Sequence, residues 1–103
     1  MKIYNKLVRD KIPEIIKNDN KNFDSHIVDN ETALKLLHKK LDEEVAEFHD
    51  DKNLEELADI MEVIFALSKK LGYTEDDLLN KRLEKREVRG GFDQNIVLDK
   101  VYE

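Results

Sequence analysis

The chain has 103 residues and a formal net charge of −6, with 41% charged and 40% hydrophobic residues, three glycines, one proline and no cysteine. That length suits one domain with a core of its own and room for a partner subunit, and the mixture favours long amphipathic helices over a sandwich or barrel. Disulfides and thiolate metal sites are excluded, and an acidic chain is not built to grip duplex nucleic acid; a nucleotide stays open because a bound metal inverts the local field. No apolar run approaches the roughly 20 residues of a membrane span and no signal peptide is legible, so a cytoplasmic location is expected.

No internal repeat, low-complexity tract or linker divides the chain, which reads as a single all-α domain. Near the start, Asp10 is placed to cap a short helix whose first turn holds Pro13, where proline is tolerated. Residues 23–28 then look extended, and Asp29 or Asn30 offers the cap of a longer helix from about Glu31 to His49. Its apolar positions are Ala33, Leu34, Leu37, Leu41, Val45 and Phe48, spaced by three and four. Asp50-Asp51-Lys52-Asn53 breaks that helix, and Asn53 caps a second, Leu54 to Leu71, which ends at Gly72. Thr74 and Asp77 form a capping box for a third long helix, which stops at Gly90-Gly91. The tail from Phe92 alternates weakly, as a strand or packing arm does. Residues 92–101 are a candidate partner for 23–28 in a short β-ribbon.

The most informative stretch is Glu43-Glu44-Val45-Ala46-Glu47, followed by Glu56-Leu57-Ala58-Asp59. Each half sets two acids three residues apart, neighbours on one helix face. On the helical wheel Glu44 lies between Ala33, Leu37 and Phe48, inside the apolar arc, and Glu47 lies at its margin. Glu56 projects between Leu67 and Val63, and Asp59 sits beside Val63 and Ala66. A solvated surface accounts for Glu43, Glu55 and Glu62. It does not account for Glu44 and Glu56, because a lone carboxylate in an apolar layer carries a desolvation cost of about several kcal/mol. Lys40 is the nearest cation on that face. Two helices packed side by side would aim four carboxylates at one point, which a hard divalent cation stabilises. Oxygen-only ligands suit magnesium, manganese or calcium, and magnesium in turn suits a phosphorylated ligand. A water held at such a site can attack phosphorus while the metal offsets charge on the phosphates. The second helix is apolar over so wide an arc that a second subunit is expected to cover part of it.

Cations gather in two places. Arg82, Arg86 and Arg89 share one face of the third long helix, and Arg82 falls between Leu78 and Leu79, so it is expected to point inward. The helix dipole accounts for Arg89 but poorly for Arg82, which suits a polyphosphate clamp. Lys6, Arg9 and Lys11 form a second group with two readings, a substrate role or surface ion pairing. His26, His38 and His49 have no catalytic arrangement and are expected on the surface.

The pattern Glu-Glu-x-x-Glu followed by Glu-x-x-Asp resembles the signature of the all-α nucleoside triphosphate pyrophosphatases, the superfamily that includes MazG, the dimeric dUTPases and phosphoribosyl-ATP pyrophosphohydrolase. Asn80-Lys81-Arg82-Leu83 and Arg86 are similar to its Asn-x-Lys-Phe element and the basic residue after it, with Arg82 and Leu83 departing from the pattern. Tyr4-Asn5-Lys6-Leu7-Val8-Arg9-Asp10-Lys11-Ile12-Pro13 and Arg89-Gly90-Gly91-Phe92 resemble a small single-domain branch, described as phosphoribosyl-ATP pyrophosphohydrolase-like or house-cleaning. The resemblance spans nearly the whole chain. It implies a MazG-like helical bundle that forms homodimers or homotetramers, with Mg2+ (or Mn2+ in its place) bound by Glu44, Glu47, Glu56 and Asp59. Glu43 would support these or orient water, beside Glu44 and Glu47 as catalytic residues. It also implies cleavage of a nucleotide between its α and β phosphates, with Asn80, Arg82 and Arg86 binding substrate. The alternatives are phosphoribosyl-ATP hydrolysis in histidine synthesis, and a non-enzymatic helical interaction module that retains the acids as surface charge.

Overall fold

A computed structural model describes residues Met1–Glu103 as four helices without a strand: α1 (Ile12–Asn18), α2 (Asn30–Asp51), α3 (Leu54–Lys70) and α4 (Glu75–Arg89). Side-chain caps start the three long ones. Asp29, in extended backbone, accepts a 2.8 Å hydrogen bond from the Thr32 amide at the head of α2. Asn53 does the same for the Glu56 amide, at 3.0 Å, at the head of α3. At α4 the capping box closes in both directions: the Asp77 amide donates to Thr74 Oγ1 at 3.0 Å, and the Thr74 amide donates to Asp77 Oδ2 at 2.9 Å. Gly72 (φ +95°) and Gly90 (φ +81°) take up the left-handed backbone just past α3 and α4 that a side chain would oppose.

The principal packing is α2 against α3, with α4 lying more lightly on α3. Lys52, in the left-handed region (φ 50°), and Asn53 turn the chain between α2 and α3. Lys70 near the end of α3 donates to Asn30 at the start of α2, at 2.9 Å, so the two run antiparallel. The end of α2 and the start of α3 are therefore side by side. No helix is long and apolar enough to cross a membrane.

The seam between these helices buries Ala33, Leu37, Val63, Ser68 and Glu44, only 5 of 103 residues, and none of them completely. A chain of this length folded into a compact domain has a radius of gyration near 13 Å; here it is 18.2 Å. Much of the apolar face of α3 stays open: Leu54, Leu57, Met61 and Ile64, spaced by three and four, are 81, 43, 51 and 37% exposed. α2 covers one side of α3 and α4 only a small part of the rest, so the wide apolar arc of α3 is left partly open.

Two local expectations are corrected. Residues 23–28 and 92–101 form no β-ribbon; neither segment contains a strand. A lone two-stranded ribbon is marginal in water, and no third strand supports it. Asp10 does not cap α1. The chain already turns at Lys11 (φ −91°, ψ −4°), with the Ile12 amide donating to the Arg9 carbonyl at 3.1 Å, so Asp10 sits within the turn.

Replacing Asn53 with Ala removes the cap beneath Glu56 and should lower the unfolding free energy by about 1 kcal/mol. Replacement with Ser, which also caps, should retain most of it. Chemical denaturation of both variants checks this; equal stability of Asn53→Ala and the parent would mean that the cap does not set the start of α3.

Candidate metal centre

The turn at Lys52-Asn53 determines what the two helices bring together. Glu44 and Glu47 lie one turn apart near the end of α2, and Glu56 and Asp59 one turn apart near the start of α3. Because the helices are antiparallel, the pairs face each other. One carboxylate oxygen from each of the four residues lies within 4.8 Å of the other three.

Clusters of exposed acids are common without an ion. Of these four, Glu44 is buried and Glu56 and Asp59 are half-buried. The Glu44 side chain is 9% exposed, and Lys40 Nζ, one turn earlier on α2, approaches its Oε1 at 3.4 Å. Its other oxygen, Oε2, is buried with no hydrogen-bond partner, and so is Oε2 of Glu56. A buried carboxylate oxygen without a donor is a costly arrangement, which a coordinating cation resolves. The electrostatics carry the same mark. Burial, and then the charge of Glu47, push the Glu44 carboxyl above the usual carboxylate range. Burial, followed by the charges of Glu47 and Asp59, does the same to Glu56.

The donor set is four carboxylates with no nitrogen or sulfur, which fits magnesium, manganese or calcium and not zinc. Magnesium holds oxygens at about 2.1 Å, so ligands on opposite sides of it lie about 4.2 Å apart. The four residues can hold one ion.

Cations from the start of the chain reach the same place. Lys6 donates to Glu43 Oε1 at 2.8 Å, and Arg9 donates to Asp59 Oδ1 at 2.6 Å. The Lys6 bond raises the pKa of that lysine and holds the Glu43 carboxyl below its usual range. Lys40 also approaches Glu43 Oε1, at 3.7 Å. Surface ion pairing is thus the arrangement that Lys6 and Arg9 adopt, and their partners are the acids of the site itself. Sequence reasoning had no signal for these pairings, which join residues 37 and 50 positions apart.

The basic face of α4 is not brought to this cluster within one chain. Asn80, Arg82 and Arg86 make no hydrogen bond or ion pair with any of the four acids. Arg86 pairs instead with Asp93 at 3.3 Å and folds over Gly91, where an added Cβ would collide with the guanidinium. Arg82 does not point inward as its wheel position suggests. It is exposed, because α4 has no buried residue and lies only lightly on α3. His26, His38 and His49 are on the surface, as expected.

No family model matches this sequence, no curated protein matches it, and no solved structure matches its fold.

The raised Glu44 carboxyl fixes a sign. Protonation of Glu44 favours the folded state; that contribution is complete below the ordinary value of 4.5 and is lost as pH rises through the raised folded value. At neutral pH the ionised Glu44 therefore weakens the metal-free protein. Glu44→Gln should raise the Tm of metal-free protein at pH 7, with the gain shrinking as pH falls toward 4.5. A lower Tm for the variant at pH 7, in thermal melts with chelator present, would show that Lys40 fully compensates the charge.

Proposed function

We propose that this chain is a magnesium-dependent nucleotide pyrophosphohydrolase of the house-cleaning kind, converting a nucleoside triphosphate to its monophosphate and pyrophosphate, with Mn2+ as a substitute ion. The observation that carries the reading is the pair of buried, unpartnered oxygens, Glu44 Oε2 and Glu56 Oε2, within the four-carboxylate cluster. Structural acids are satisfied by donors; these are not. The resemblance of Glu43-Glu44-Val45-Ala46-Glu47 and Glu56-Leu57-Ala58-Asp59 to the pyrophosphatase signature supplies the bond that is cleaved.

Glu44, Glu47, Glu56 and Asp59 hold the ion in this reading. When bound, magnesium offsets the charge that builds on the phosphates as the bond breaks. Glu43 has a separate task. Lys6 and Lys40 keep it ionised and fixed in place, so it accepts a hydrogen bond from the attacking water and orients it. With its pKa lowered it is a weak proton acceptor, which suits orientation better than proton removal. Asn80 and Arg82 bind the phosphate tail, with Arg86 beside them once released from Asp93.

The same reading makes the protein a homodimer or homotetramer. Its support is the open stripe of Leu54, Leu57, Met61 and Ile64, together with a single-chain seam that buries too few residues for a stable core. Assembly then brings α4 of one copy within reach of the acids of another.

Glu56→Gln should abolish release of pyrophosphate from a panel of nucleoside triphosphates while leaving the far-ultraviolet circular dichroism unchanged. Millimolar magnesium should raise the Tm of the parent and not of this variant. Full activity in Glu56→Gln, or no magnesium shift in the parent, counts against the metal assignment. Sedimentation should give twice or four times the 12.2 kDa chain mass, with Met61→Glu moving it toward one chain. A parent that sediments as a single chain contradicts the assembly.

A further inference from the structure

The two cations that the first eleven residues bring to the cluster are not equivalent. Lys6 is bonded to Glu43, which is not among the four residues whose oxygens converge. Arg9 is bonded to Asp59, which is. The guanidinium and a metal ion would therefore be competing for the same carboxylate. Arg9 neutralises one of the four acids and Lys40 approaches another, Glu44, while Glu47 and Glu56 pair with no cation.

The Arg9–Asp59 pair is also weakly held. The two side chains are 55% and 37% exposed, the most open of the four ion-pair contacts that Lys6, Arg9 and Lys40 make with Glu43, Glu44 and Asp59. Exposed pairs of this kind contribute about 0–1 kcal/mol, little enough for a divalent ion on the same carboxylate to displace. The backbone carbonyl of Arg9 is tied to α1 through the Ile12 amide at 3.1 Å, and Lys6 stays on Glu43. Arg9 can thus leave Asp59 by side-chain rotation alone, with its backbone held beside the site. A guanidinium freed there has lost a carboxylate and stands next to an ion that attracts phosphate, and its planar fork matches phosphate oxygens.

We propose that Arg9 is an exchangeable counter-ion: it neutralises Asp59 in the metal-free protein, is displaced when a divalent cation takes that carboxylate, and then anchors the phosphate of the metal-bound ligand. This rests on the metal reading above and adds to it a positioning residue outside the four ligands. It also couples the two binding events, because the ion releases the group that the phosphate needs.

The exchange makes opposite predictions for two affinities. Arg9→Gln should bind Mn2+ alone more tightly, by about two- to fivefold, the range set by an exposed ion pair. In saturating Mn2+ the same variant should bind inorganic pyrophosphate more weakly than the parent. Lys11→Gln removes the same charge two residues away from a side chain with no ion-pair partner, and should change both affinities less. Isothermal titration of the full chain reads all of these without turnover. If the parent binds no Mn2+, the metal reading fails and the exchange fails with it. If the parent binds Mn2+ but Arg9→Gln binds it equally or less tightly, the metal reading stands and the exchange is overturned. A Lys11→Gln effect as large as that of Arg9→Gln would likewise overturn it, in favour of a diffuse effect of charge.

Discussion

Like charges about 4 Å apart repel by about 1 kcal/mol in bulk water, and by several times that near a protein surface. Four carboxylates with an oxygen of each inside a 4.8 Å circle therefore work against the fold that gathers them. What gathers them is the α2–α3 hairpin, and its turn is short and specified. Lys52 accepts a left-handed backbone and Asn53 caps α3 by bonding the amide of Glu56, itself one of the four. The hairpin thus bears a local electrostatic cost that a bound cation would relieve. Lys40 and Arg9 do so in part, each on one acid, and Glu47 and Glu56 are left without a cation.

The hairpin has little else to hold it. Its seam buries Ala33, Leu37 and Val63 as hydrophobic residues, beside Ser68 and Glu44. Among so few contacts, a buried carboxylate occupies a large share of the interface. The open stripe on α3 belongs to the same account. A two-helix seam with one acid inside it gains stability from burial on its other faces, and the apolar residues at 54, 57, 61 and 64 have the spacing for a helix to lie along them.

The helices were legible in the sequence because local chemistry sets them. Asp29, Asn53 and the Thr74–Asp77 box cap where their residue types suggest, and apolar spacing places Glu44 within the stripe that becomes the seam. The convergence of the four acids was legible too, since spacing of three within each helix and one short break between them leave few other arrangements. What was not legible depends on contacts between distant segments. Nothing local tells Arg9 that Asp59 is its partner, 50 residues on. The inward reading of Arg82 failed for a related reason: a wheel position gives a face only where another element covers that face, and α4 is barely covered. The extended segments at 23–28 and 92–101 have suitable composition, but no ladder forms without a partner to support it.

The most direct test is anomalous scattering from a crystal of the protein soaked in Mn2+. One strong peak should lie about 2.2 Å from oxygens of Glu44, Glu47, Glu56 and Asp59, the distance a hard divalent ion takes to carboxylates. A crystal in which those oxygens stay unliganded, with manganese absent or bound elsewhere, would contradict the account.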